Sequence, residues 1–220
     1  GQLAEKSGRM AQLYTIHGIQ REERAAMLVL DQIEFPIIFW GSLKAGVIPI
    51  AINTLLAADV YDTILRDSRA SVLFVSQALL PAVENILANH PGLKTVFVIG
   101  DRHDHSDFNA ELARCASQSA VAAHPDEVAF WLYSSGSTGQ PKGVRHIHSS
   151  LKFTADTYGQ QVLQIGEDDV VYSAAKFFFA YGLGNAMTFP MSVGATTVLL
   201  AGRPTPDGVL TILNTYKPTI

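Results

Sequence analysis

Residues 133–143 read Tyr-Ser-Ser-Gly-Ser-Thr-Gly-Gln-Pro-Lys-Gly. Ser134, Ser135, Ser137 and Thr138 offer hydroxyl donors, Gly136, Gly139 and Gly143 free the backbone, and Lys142 brings a positive charge. Glycine lets backbone N–H groups approach a ligand closely and take positive φ. Successive N–H groups in such a loop form an anion-binding concavity. Hydroxyls add hydrogen bonds, and a lysine ammonium is a mobile point charge suited to phosphate. This is chemistry for holding a polyphosphate. It is not a Walker A loop, because Pro141 precedes Lys142 and Gly143 follows it, where that motif needs Gly and then Ser or Thr. The hydrolase elbow G-x-S-x-G is also absent. A plain Ser/Gly surface turn is the bland alternative. The flanks argue against it: residues 128–133 are an apolar run of buried-strand type.

Residues 173–190 are the second chemically suggestive stretch. Phe177, Phe178, Phe179 and Tyr181 concentrate flat apolar surface, and Ala180, Gly182 and Gly184 leave room beside it. Aromatic walls with small residues between them suit a planar ligand, although ordinary core packing is the better reading for Phe177 and Phe178. Gly182-Leu183-Gly184 does not open a dinucleotide fingerprint, because Met187 stands where the third glycine belongs.

The histidines make no metal centre. His103-Asp104-His105 reads as a solvated loop, and His17 as a surface or helix-end residue. His146 and His148 alternate on a segment expected to be extended, but two ligands without a nearby cysteine do not hold zinc. Any metal is expected to be Mg²⁺ arriving with a nucleotide, ligated mostly by phosphate and water. The one cysteine, Cys115, cannot form an internal disulfide. It reads as a packed residue on one side of a helix, and a reducing cytoplasm is the expected setting.

The elements that must position these residues alternate. Strand-type runs are expected at 24–30, 47–51, 71–75, 95–99, 128–133, 170–174 and 196–200. Helical runs are expected at 35–45, 57–69, 77–89, 106–117, from 149 onward, 183–191 and 208–216. Such alternation implies an α/β fold with a mainly parallel sheet flanked by helices. At 220 residues the chain is long enough for one sizeable domain or two lobes, here 1–118 and 126–220 with a connector at 119–125. Net charge is −4 with the basic residues scattered, so no nucleic-acid surface is expected. The longest apolar region, 35–52, is broken by Pro36, Lys44 and Pro49 and falls short of the roughly 20 apolar residues of a membrane span. A charged fraction of 16% fits either apolar surface covered by further polypeptide or a large core.

YSSGSTGQPKGV resembles the phosphate loop of the acyl-adenylate-forming enzymes, which include acyl- and aryl-CoA ligases, luciferases and peptide-synthetase adenylation domains. The resemblance implies that a carboxylate attacks the α-phosphate of ATP, giving acyl-AMP and pyrophosphate, and that CoA then takes the acyl group. It implies polyphosphate contact for Ser134, Ser135, Gly136, Ser137, Thr138, Gly139 and Lys142. The string FFAYGLGN is similar to that of benzoate-CoA and 4-hydroxybenzoate-CoA ligases. It implies that Phe179, Ala180, Tyr181, Gly182 and Gly184 border the acyl pocket, with an aromatic gating it. Residues 39–54 resemble the family's helix, strand and asparagine turn. The family's Tyr-Gly-x-Thr-Glu segment, ribose aspartate, hinge and adenylation lysine do not occur in these 220 residues. The expectation is therefore a piece of the large N-terminal domain of an aryl-CoA ligase, inactive alone and packed against the rest of its own chain. Its co-substrates would be ATP with Mg²⁺, CoA and an aromatic carboxylic acid. A fatty-acyl or amino-acid-activating enzyme stays open, although 173–190 offers no carboxylate for an amino-acid ammonium. A non-catalytic nucleotide- or acyl-binding module also stays open.

Overall fold

The computed structural model describes residues 1–100, 104–134 and 140–220. The chain opens with α1 (Gln2–Ile16), β1 (Arg24–Leu28), α2 (Glu34–Ala45), β2 (Ile48–Ala51), α3 (Ala58–Ser68) and β3 (Val72–Ser76). A 3₁₀ stretch (Gln77–Ala82) and the short α4 (Glu84–Leu87) lead to β4 (Thr95–Ile99), β5 (Ser106–Asp107) and α5 (Phe108–Ala113). Then come β6 (Val128–Ser134), β7 (Lys142–Ile147) and α6 (His148–Thr154), which runs on as a π-helix over Ala155–Val162. β8 (Val170–Tyr172), α7 (Ala180–Leu183), a π turn (Gly184–Thr188), α8 (Phe189–Val193), β9 (Thr196–Val198) and α9 (Pro206–Tyr216) complete the order.

Seven strands form one sheet in the order β5-β4-β3-β1-β2-β6-β7. Every pairing in it is parallel except β6–β7, which is antiparallel. β8 and β9 pair in parallel as a separate ribbon. The expected mainly parallel α/β architecture is thus what the chain adopts. Parallel strands are covered on both faces and so read as unbroken apolar runs. All five residues of β3 are buried. Alternate residues face opposite ways along a strand. Val72 and Phe74 accordingly join the core under α1, α2 and α5, while Leu73 and Val75 join the core under α3. On the first face Phe74 stacks on Phe97 at 5.2 Å and meets Phe108 edge-on at 5.6 Å.

α1 has no counterpart among the expected elements. Its buried side is Ser7, Gly8, Met10, Ala11, Leu13 and Tyr14, half of it small or polar, so the apolar period is faint. Close approach to α2 buries much of this side: a Cβ on Gly41 would lie 2.3 Å from Met10 Cγ, and Tyr14 shares a 2.6 Å hydrogen bond with Ser42; Gly8 instead lies against Ser117. Two other expected helices are corrected. Pro81 holds 77–82 in 3₁₀ form, leaving only a short helix behind it. Residues 106–107 pair with β4, and the helix after them ends at Ala113. Asp107 caps that helix by accepting from Ala110 N–H at 2.8 Å.

The connector 119–125 holds no helix or strand. It is tied back to the first helices, with Val121 N–H donating to Lys44 O at 2.8 Å. β6 and β7, beyond it, extend the same sheet as the strands before it. No helix among the described residues is long and apolar enough to cross a membrane.

Candidate functional site

The polyphosphate-type motif is flanked by an antiparallel strand pair at the edge of the main sheet. β6 ends at Ser134 and β7 begins at Lys142, and these two residues face each other across the ladder. The motif alone places Lys142 within a loop; the backbone instead puts it in the first position of an exposed strand. Ser135, Gly136, Ser137, Thr138 and Gly139 lie outside the described residues. Gly143 has a packing reason: a Cβ there would meet the Trp131 and Tyr133 rings at 3.1 and 3.2 Å. The Tyr133 hydroxyl donates to Asp67 at 2.5 Å, which pins the loop end of the hairpin to α3. Burial and that carboxylate both push the Tyr133 phenol up.

Below the hairpin lies a cavity of about 630 Å³, within the usual size range of small-molecule sites. The hairpin supplies Tyr133, Ser134, Pro141 and His146; Leu56, Val60 and Ile64 form a second side, and Phe178, Phe179 and Ala180 close a third. Asn53 completes the rim, its side-chain oxygen accepting from Leu55 N–H at 2.9 Å in the expected asparagine turn. One cavity therefore joins the end of the phosphate-type loop to the start of the aromatic segment. His146 stacks flat on Phe130, ring centroids 4.6 Å apart. Burial pushes its pKa down, so at neutral pH it offers this cavity an uncharged imidazole.

The aromatic segment divides. Phe177 and Phe178 are buried at 1% and 4% exposure, Phe177 lying 4.8 Å from Phe35. Phe179 and Tyr181 are exposed at 49% and 65%. Ala180 borders the cavity with Phe179, whereas Tyr181 is not part of its wall. The helix expected to begin at 183 begins at Ala180 and passes through the π turn. Single π turns often occur at functional sites. Gly182 and Gly184 are buried where side chains do not fit: a Cβ on Gly182 would lie 2.2 Å from Lys176 O, and one on Gly184 2.6 Å from the Phe189 ring.

Sequence reasoning assigns no part to Asp31 or Lys176. Asp31 is 6% exposed just beyond β1, and Lys176 Nζ lies 3.8 Å from its carboxylate. Asp31 Oδ1 also accepts from Phe177 N–H at 3.2 Å. Burial pushes the Asp31 carboxyl up to about 6, opposed by the Lys176 ammonium and that N–H. Burial likewise lowers Lys176, opposed by Asp31. The available signal was a carboxylate directly after an apolar strand and a lone cation before three phenylalanines.

Other expectations resolve plainly. His148 opens α6, so it shares no extended face with His146; a helix starts one residue earlier than expected. His17 is at the end of α1, as expected, with its ring edge-on to Phe97 at 4.8 Å. Cys115 is buried with its thiol toward Glu111 O at 3.4 Å, and burial raises its pKa, which suits a packed spectator. His103 lies outside the described residues.

Known proteins resemble this chain in sequence and in fold. A 4-hydroxybenzoate–CoA/benzoate–CoA ligase of Rhodopseudomonas palustris is 43% identical over 222 residues, spanning 100% of this chain and 41% of that protein. A benzoate–CoA ligase of Thauera aromatica is 50% identical over 209 residues, 94% of this chain and 40% of that one. The chain thus spans about two-fifths of the length of these relatives. Among solved structures, a benzoate CoA ligase from Burkholderia xenovorans LB400 superposes with a TM-score of 0.92 at 40% identity, covering 100% of this chain and 43% of that one. The anthranilate CoA ligase AuaEII in complex with anthranoyl-AMP gives 0.95 at 35% identity, covering 99% and 43%. With a serine- and glycine-rich hairpin on the edge of a parallel sheet, and a family model for AMP-binding enzymes matching residues 1–220 throughout, this chain belongs to the AMP-binding enzyme family.

Proposed function

We propose that this chain is part of the large domain of an AMP-forming CoA ligase that activates benzoate or a hydroxybenzoate. The observation that carries the reading is the shared cavity: Ser134 and Pro141 at the hairpin end, Phe179 and Ala180 at the other. An acid carboxylate and a nucleotide phosphate must meet within one space for acyl-AMP to form. Relatives named as benzoate– and hydroxybenzoate–CoA ligases, and a neighbour solved with anthranoyl-AMP, support an aromatic acid.

In the reaction, a carboxylate oxygen attacks the α-phosphorus and pyrophosphate leaves. The CoA thiolate then attacks the acyl carbon and AMP leaves. Neither step asks for a protein nucleophile, so positioning and charge stabilisation dominate. Ser134, Ser135, Gly136, Ser137, Thr138, Gly139 and Lys142 would hold the β- and γ-phosphates. Phe179 and Ala180 would border the aryl ring, Tyr181 would stand exposed beside them as the gating aromatic outside the cavity wall, and Gly182 and Gly184 would let their helix approach. Mg²⁺ would come with the nucleotide, held by phosphate oxygens and water; the described residues gather no group of three acidic, histidine or cysteine ligands. Exposed Phe153, Val162, Leu210 and Tyr216 would pack against the further polypeptide that relatives carry, and a cytoplasmic setting suits a CoA-dependent enzyme.

The test is pyrophosphate release by the full-length enzyme with ATP, CoA and a panel of aromatic and aliphatic acids. Benzoate or a hydroxybenzoate should give the highest kcat/KM. A preference for fatty acids or amino acids overturns the substrate reading.

A further inference from the structure

Open α/β sheets bind ligands in the crevice beyond the carboxyl ends of the strands, where the strand order reverses. Here that point lies between β1 and β3. α2 carries the chain from β1 to β2 on one side, and α3 brings it back to β3 on the other. Leu30 N–H donates to Ser76 Oγ at 3.1 Å across this point, and Asp31 follows directly. Its carboxylate is taken by Lys176 and by the Phe177 N–H.

We propose that Asp31 is a positioning residue for the aryl-binding wall, acting through Lys176 and Phe177; this rests on the substrate reading above. The contacts form a continuous mechanical path. Asp31 is fixed at the end of the central strand and holds Lys176 from one side, while Lys176 Nζ donates to Leu200 O on the other. The Lys176 carbonyl accepts from Phe179 N–H at 3.0 Å. The same carbonyl fills the space where a Gly182 side chain would stand. Phe179 and Gly182 bracket Ala180, which borders the cavity. A shift of the 176–177 backbone therefore moves Ala180, whereas the hairpin is anchored separately through Tyr133 and Asp67.

A buried ion pair is a poor device for stability alone, because desolvation offsets its attraction. Together with the Phe177 N–H bond, which spans 146 residues of sequence, it is a good device for fixing one backbone path. Asp31 and Lys176 are both nearly enclosed, and neither is part of the cavity wall. Their influence on an acid substrate must pass through the backbone they hold.

The test compares full-length wild-type enzyme with D31N and K176M. The D31N amide keeps an oxygen for the Phe177 N–H and near-identical volume, so this variant folds where a truncation fails. D31N should raise the KM for benzoate about tenfold, less than the roughly hundredfold that a full ångström of misplacement can cost, and leave the KM for ATP within about twofold, since the hairpin is held elsewhere. Equal rises in both KM values, or no rise in either, overturn the proposal. Hydrogen exchange gives an independent readout: the Phe179 amide should lose protection in D31N and K176M while amides of β1 and β3 keep theirs. Unchanged Phe179 protection overturns the positioning role whatever acid the enzyme uses. Wild-type inactivity on every aromatic acid, with that protection lost in the variants, overturns the substrate reading and supports the tether.

Discussion

The two ends of the cavity are built differently. The hairpin end hangs from β6, whose neighbours on both sides are strands, and its ladder pairs Ser134 with Lys142 through local backbone bonds. The aryl end hangs from a four-residue helical turn that becomes a π turn, and its backbone is located by a carboxylate far away in sequence. Sheet pairing fixes a residue through its immediate neighbours. The helical end is fixed by packing against glycines and by one buried ion pair. Damage to the first should therefore stay near the phosphates, and damage to the second should spread.

The largest break in that comparison is Phe177→Ala. The ring is 1% exposed against Phe35, and removing a buried phenylalanine costs about 3–5 kcal/mol. Denaturant unfolding of the full-length enzyme should show the loss, with benzoate use impaired beyond ATP use. Near-native stability would mean the aromatic segment is not anchored where it lies.

Lys142→Ala should act in the opposite sense. Losing one phosphate-directed charge removes about 1.5–3 kcal/mol, read as lower kcat/KM for ATP at limiting nucleotide. Folding should persist, because the side chain is exposed. Unchanged adenylation kinetics would remove Lys142 from the nucleotide site.

Ala180→Leu tests the aryl end without touching its anchor. Overpacking costs about 1–3 kcal/mol, roughly ten- to a hundredfold in kcat/KM for benzoate, with less effect on a short aliphatic acid. Equal losses for both acids would mean that position 180 does not meet the acyl group.

The smallest effect is one of pH. Burial lowers the folded-state pKa of His146 below its ordinary value, so the unfolded chain takes up the proton first as pH falls. Stability contributed by neutral His146 is present above its unfolded value near 6.5 and is lost as pH drops below that value toward the folded one. His146→Gln should reduce the drop in Tm between about pH 7.5 and about pH 5.5 relative to wild type. An identical pH dependence in the variant would mean that His146 is solvated.

Much of this was written in short stretches of the chain. β3 and β4 could be found as apolar runs because a strand covered on both faces reads as a near-continuous apolar stretch, and Thr95–Ile99 matches its expected span residue for residue. The phosphate-type loop was legible because its chemistry needs consecutive glycines and hydroxyls. α1 was not, because small residues that let helices approach look like polar punctuation. Asp31 and Lys176 were invisible as a pair, because no local rule joins residues so far apart. The sequence by itself determined the alternation of elements, the loop and the aromatic composition at 177–181, all of which follow from side-chain periodicity and backbone freedom within a few residues. Only the tertiary structure decided that Lys142 begins a strand, that Ala180 rather than Tyr181 faces the cavity, and that Asp31 reaches across the fold to Lys176 and Phe177. Those outcomes depend on which distant surfaces exclude water together, a property that no window of sequence contains.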